Sequence, residues 1–293
     1  MIMLAIALSL LAAGLHALWN ILLKAAGDPL RMSARAMAAS AAIVAPCGAL
    51  GWVIAGRPGV PLNTWELIVL SSLCELGYFL FLSEAYRRGE LSVVYPIARG
   101  SAPVLAVPAG LALGNRLGWN GWTGVACLLI GMWVVRRPSG DRRAVQPALI
   151  TGVFIAGYTA VNSVGARTIP PWLYAWGVWT VSTALLNAAV WTRGRLALRT
   201  WPARPPRPQA PTGAGDVPTW SRALAIGVPM TVTYLLVITA LSIAPLVVVA
   251  PVRESAIALV TGWSIWRLDE RQGARLRIAG IAAILSGLVL LAL

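Results

Sequence analysis

Residues 2–23 read IMLAIALSLLAAGLHALWNILL, twenty-two positions without a formal charge, and Lys24 follows. A helix rises about 1.5 Å per residue, so such a run covers the ~30 Å hydrocarbon core of a bilayer. Nine further runs of this kind lie near 32–55, 66–85, 91–113, 119–135, 147–166, 172–191, 223–243, 246–266 and 276–293. Trp52, Trp65, Trp119, Trp172, Trp191, Trp220 and Trp266 sit at their ends, the aromatic belt expected where spanning helices meet the headgroups. The pattern predicts an all-α integral membrane protein with ten transmembrane helices. The first run has no basic leader and carries its charge on the far side (Lys24, Arg31, Arg35). It is therefore expected to be a spanning helix and not a cleaved signal peptide.

The composition agrees. Of 293 residues, 58% are hydrophobic and 12% charged, whereas a soluble domain is nearer half and a quarter. Mean hydropathy is +0.74. The net charge of +14 would suggest nucleic acid on a soluble protein. Here most basic residues fall in the gaps between apolar runs, so nucleic acid is excluded and the lipid bilayer is the expected partner. The gaps after runs one, three, five, seven and nine, counted with Arg35 and Arg277 at the bordering run ends, hold nineteen basic residues; the alternate gaps hold Arg57, Arg116 and Arg167. That asymmetry predicts cytoplasmic charged loops, both termini outside, and a multi-pass protein of the cell (inner) membrane. Residues 193–221, with six prolines between Pro202 and Pro218, are expected to form a flexible cytoplasmic loop.

Cys47, Cys74 and Cys127 all lie inside apolar runs and are read as small buried hydrophobes with no disulfide framework. With His16 the only histidine, no metal site and no cofactor are expected. Intramembrane metalloproteases need a His pair, and no Gly-x-Ser-x-Gly element occurs in a run, so the chain is not expected to be an enzyme.

Two ungapped matches point to an internal repeat. Ala13–Leu18 aligns with Ala156–Val161 at an offset of 143, and Val93–Ile97 aligns with Val248–Val252 at an offset of 155; residues 193–221 absorb the difference. Five spans per copy is an odd number, so the second copy is inverted. The expected architecture is a 5+5 inverted repeat: 1–136, a connecting cytoplasmic loop at 137–146, and 147–293. Such repeats are a transporter signature, because two half-sites can open alternately to either side.

Ionisable groups at mid-membrane are costly and usually functional. Arg99 lies about 12 Å from one end of the fourth run and Glu254 about 12 Å into the ninth, beside Arg253. Pro96, Pro103 and Pro251 remove backbone donors near them, so broken helices are expected there. Two charged arginines favour a carboxylate or phosphate solute, or else internal carboxylate partners, of which Glu75 is the first candidate. Glu75 and Glu254, removed from water, are the candidates for a coupling proton. His16, Asn20, Tyr95, Tyr158 and Asn162 are expected to line the cavity. Tyr234 carries no strong claim, and Glu84 and Glu90 are assigned to Arg87 and Arg88 at the boundary.

The order of these features resembles the drug/metabolite transporter superfamily, specifically its EamA-type members. The resemblance rests on His16-Ala17-Leu18-Trp19-Asn20 with Lys24, on Ala85-Tyr86-Arg87-Arg88-Gly89 before Tyr95-Pro96-Ile97-Ala98-Arg99-Gly100, on Tyr158-Thr159 before Asn162, and on Arg253-Glu254-Ser255 ahead of Leu268-Asp269-Glu270. It implies a ten-helix 5+5 fold, secondary transport with export common, and cytoplasmic termini, the reverse of the charge count. Asn115 and Asn162 stand where similar sequences often carry carboxylates.

The leading expectation is proton-coupled or exchange transport of a small anionic or zwitterionic metabolite, Arg99 and Arg253 holding its acid group. The alternatives are export of lipophilic cations, translocation of a lipid-linked sugar, and a non-transporting scaffold or sensor. A homodimer is an option that the sequence does not select.

Overall fold

The computed structural model describes residues 1–24, 26, 28–89, 91–135, 142–200, 220–255, 257 and 274–292. Ten helices form among them: α1 Ile2–Lys24, α2 Pro29–Ile54, α3 Leu62–Arg88, α4 Leu91–Ala112, α5 Trp119–Val135, α6 Arg142–Gly165, α7 Pro171–Thr200, α8 Trp220–Ile243, α9 Leu246–Glu254 and α10 Ala274–Ala292. Six of these (α1, α2, α3, α6, α7 and α8) are long and apolar enough to cross a membrane; α4 and α10 contribute the shorter apolar stretches Ile97–Ala112 and Ile278–Leu291. The protein is a multi-pass α-helical membrane protein. Glu90, Arg136, Arg137, residues 201–219 of the Pro-rich segment, most of the ninth run beyond Ser255, and Trp266 to Arg271 lie outside the described residues.

The first helix shows why the sequence folds this way. Ala5, Ser9, Ala12, His16, Trp19 and Leu23 recur at helical spacing and are buried, while Leu4, Leu11 and Leu18 face outward, each about half exposed. In water such an outward face would be a large apolar patch; in a bilayer it matches its solvent. Chain reversals are built locally. Asp28 caps α2 by accepting the Arg31 N–H at 3.1 Å, with Pro29 at the first helical position. Arg167 donates to the carbonyls of Leu241 (3.2 Å) and Ala244 (2.8 Å), which closes the C-terminus of α8. Asn115 Oδ1 receives the Val247 N–H at the start of α9 at 3.5 Å.

Lipid supplies no hydrophobic drive between helices, so close packing must hold them together. α1 packs on α8 and α9, α3 on α6 and α7, α4 on α6 and α9, α2 on α7 and α8, and α5 on α10. In the last pair a Cβ on Gly124 would meet the Gly287 carbonyl, and one on Gly131 the Gly280 carbonyl. The two helices are therefore antiparallel and almost in backbone contact.

Two expectations are corrected. α4 stays helical through Pro96 and Pro103, whereas among the described residues α9 is interrupted after Glu254, where the Ser255 N–H turns back to the Val252 carbonyl at 3.2 Å. A spanning helix tolerates proline where its neighbours cover the freed carbonyls. The cysteines are not uniformly buried: Cys47 is exposed on α2, and Cys74 and Cys127 are half-buried. All three are free thiols. A small apolar group is as well placed against lipid as in the core.

Candidate functional site

α4 and α9 bring the buried charges together. Arg99 Nη1 donates to both oxygens of Glu254, at 2.8 and 2.9 Å. Arg253 donates to Glu254 Oε1 from Nε (2.9 Å) and Nη2 (2.7 Å). All three side chains are buried, so one carboxylate answers two guanidinium groups from either side. The Arg253 guanidinium lies 5.5 Å from the Tyr158 ring centre and that of Arg99 lies 5.8 Å from Tyr95, within cation–π range. Glu75, the expected partner of the arginines, forms no ion pair among the described residues. Adjacency on α9 and the α4–α9 contact favour Glu254, whereas Glu75 projects from α3.

Beside this cluster is a cavity with about 50 Å³ open to the centres of water molecules, room for a few waters or one small polar group. Its walls come from six helices: His16 and Trp19 on α1; Glu75, Tyr78 and Phe79 on α3; Tyr158 on α6; Trp179 on α7; Met230, Thr233, Tyr234 and Val237 on α8; Arg253 on α9. The rings brace one another. His16 meets Trp19 edge-on at 4.4 Å, Tyr78 meets Tyr158 at 5.9 Å, and Trp179 lies 5.8 Å from Tyr234.

Six of these residues hold a buried polar atom with no hydrogen-bond partner among the described residues: His16 Nε2, Trp19 Nε1, Glu75 Oε1, Tyr78 OH, Trp179 Nε1 and Thr233 Oγ1. Buried polar atoms are nearly always paired, because an orphan costs about 1–3 kcal/mol. Six such atoms belong to residues around one cavity that has room for water or a small polar group.

Of the residues expected to line the cavity, His16, Tyr158, Arg253 and Glu75 do so. Arg99 and Glu254 stand one contact behind, through Arg253. Asn20 is instead a joint between helices, donating to the His16 carbonyl at 2.8 Å and accepting from Tyr86 OH at 2.9 Å. Tyr95 is buried outside the cavity, against Arg99. Asn162 accepts from Ser71 Oγ (2.6 Å) and Tyr174 OH (3.0 Å) and donates to Tyr234 OH (3.1 Å), so it acts on the cavity through Tyr234. Glu84 pairs with Arg87 and Arg88 at the boundary, as expected. Trp19, Trp179, Thr233 and Tyr234 are walls that sequence reasoning did not assign. Trp19 was signalled by sharing a helix face with His16; Trp179 had no signal among fourteen tryptophans.

No family model matches the chain. Over 132 residues, 43% of its length, it is 30% identical to the "Uncharacterized transporter YwfM" of Bacillus subtilis, covering 45% of that protein. Over 69 residues, 23% of its length, it is 36% identical to the "Spermidine export protein MdtI" of Photorhabdus laumondii and 41% identical to that of Yersinia enterocolitica, covering 63% of each. The matches thus span less than two thirds of these relatives. A solved structure described as "Crystal structure of protein" superposes over 98% of this chain and 95% of its own, with a TM-score of 0.70 at 18% identity. Along parts of its length the chain is similar to proteins named as transporters, and its whole fold has a counterpart of known structure.

Proposed function

We propose that the chain is a secondary transporter of the inner membrane that exports a small organic solute through the central cavity by alternating access. The observation that carries this reading is the set of six orphaned polar atoms on residues around one cavity. A non-transporting scaffold has no use for it, since packing alone would favour apolar residues or completed hydrogen bonds. The names of the partial relatives support the same reading.

The moving parts are the inverted repeats, 1–136 and 147–293, joined through 137–146. The helix contacts support them: exchanging each helix with the one five places on turns the α1–α8 contact into α6–α3, α2–α8 into α7–α3, and α4–α6 into α9–α1, all of which occur. The α2–α7, α4–α9 and α5–α10 contacts map onto themselves. The 155-residue offset that aligns Val93–Ile97 with Val248–Val252 also carries Arg99 onto Glu254, its hydrogen-bonding partner. A contact that maps onto itself persists when the two repeats exchange conformations. The Arg99–Glu254 bridge is then a fulcrum, and the cavity walls on either side of it alternate in exposure.

A second reading, an acid-bearing solute, has one observation in its favour: Arg99 Nη2, one contact behind the cavity wall, is a buried donor without a partner. In that version a carboxylate competes with Glu254 for Arg253 and Arg99, and Glu75 carries the coupling proton. The test is solute flux in proteoliposomes holding the purified protein, with and without a proton gradient. Gradient-driven accumulation above protein-free vesicles is expected for at least one class in a panel of amines, amino acids and organic acids. Flux equal to empty vesicles for every class would leave the scaffold reading.

A further inference from the structure

Resting on the reading of the cavity as a solute site, we infer that its occupant is a primary amine, held as an ammonium ion by Glu75 inside an aromatic cage. Charge comes first. The two buried arginines share a single hydrogen-bonded carboxylate, Glu254, which leaves that cluster one positive charge in excess; Glu75, on the cavity wall, supplies the balancing negative charge and has an Oε1 with no partner. A carboxylate solute would lie beside that oxygen and be repelled by it; an ammonium would pair with it. The walls come second. Trp19, Tyr158, Trp179 and Tyr234 line the same space, and aromatic rings attract a desolvated cation while covering the carbon attached to it.

Hydrogen-bond inventory then separates one cation from another. Of the six unpartnered atoms around the cavity, three are oxygens, Glu75 Oε1, Tyr78 OH and Thr233 Oγ1; His16 Nε2 and the Trp19 and Trp179 Nε1–H donors are left to water or to the rest of the solute. A primary ammonium has three N–H donors, and the number and type match. A quaternary ammonium satisfies none of them and leaves the cost of three orphans in place. A divalent metal ion finds one carboxylate and, among the described residues, no group of three His, Cys, Asp or Glu ligands. The open volume suits a head group of this size, with the remainder of the solute reaching along the route by which it entered.

The test uses the full chain in detergent and three matched probes: phenethylamine, its N,N,N-trimethyl analogue and 3-phenylpropionate, titrated by calorimetry. Phenethylamine is expected to bind at least about tenfold more tightly than either of the others. Glu75→Gln should remove that preference, and Thr233→Val should weaken phenethylamine while sparing the trimethyl analogue. Tighter binding of phenylpropionate, sensitive to Arg253→Gln and not to Glu75→Gln, would overturn the inference. So would equal binding of the two cations, or no heat from phenethylamine at about 1 mM. Flux assays keep the two readings apart. Amine binding without flux leaves the amine site standing and removes the transport function; flux of acids alone does the reverse.

Discussion

Glu75 and Glu254 are the same residue type at similar depth, and their surroundings give them opposite tasks. Glu254 accepts four hydrogen bonds from two guanidinium groups; Glu75 Oε1 accepts none. Removing one member of a buried ionic cluster strands the others, at about 3–5 kcal/mol. Glu254→Gln should therefore lower thermal stability in detergent strongly. Glu75→Gln keeps the shape, breaks no ion pair and should change stability by about 1 kcal/mol or less. Paired melting curves check this, and equal losses would mean that Glu75 is structural. The charges were legible in the sequence because ionised groups in lipid-length runs are rare, so Arg99, Arg253, Glu75 and Glu254 stood out. Which carboxylate meets which arginine was not legible, since it depends on the α4–α9 contact. Trp179 went unseen and Tyr234 was noticed without a role for another reason: in a chain with fourteen tryptophans, an aromatic side chain at a cavity looks like one at a headgroup.

Helices were more legible than contacts. The run read at 119–135 is helical throughout, because no charge interrupts its apolar stretch. The seventh helix runs on from 191 to Thr200 and the sixth starts at Arg142. Backbone hydrogen bonding continues into the headgroup layer, where charged residues are welcome, while a hydropathy reading ends at the first arginine. The α5–α10 seam gave no warning, as its glycines are four among twenty-eight. Gly124 faces Gly287 and Gly131 faces Gly280, with the same seven-residue spacing on both helices. A Cβ on Gly131 would sit 2.6 Å from the Gly280 carbonyl oxygen and 2.8 Å from Ile284 Cγ1. Backbone cannot swing aside as a side chain does, so Gly131→Ala should cost about 1–3 kcal/mol by overpacking. Gly14→Ala, where an added Cβ meets nothing within 4 Å, should be neutral or stabilising by up to about 1 kcal/mol. Unfolding both variants in the same detergent separates a seam from a generic glycine effect.

On the proposed two-fold relation between the repeats, Arg99 and Glu254 occupy equivalent positions with opposite charge. Interchanging them is then close to what exchanging the two repeats would do. In the native cluster, Glu254 lies between Arg99 and Arg253. In the double variant Arg99→Glu/Glu254→Arg, a carboxylate at 99 faces guanidinium groups at 253 and 254, so two cations again share one anion. Each single substitution instead shifts the charge of the cluster by two: two carboxylates face one arginine after Arg99→Glu, and three arginines meet with no carboxylate between them after Glu254→Arg. Like charges at such distances out of water cost several kcal/mol, enough to block folding or movement. Both single variants should therefore fall to the background of proteoliposome flux, and the double variant should recover to within about tenfold of the native protein. A fulcrum requires only that the bridge exist, whichever repeat supplies the cation. A site at which Arg99 itself holds the solute requires the cation on α4. Stable double variants with no flux would assign Arg99 to the solute, and recovery would assign it to the bridge between the repeats.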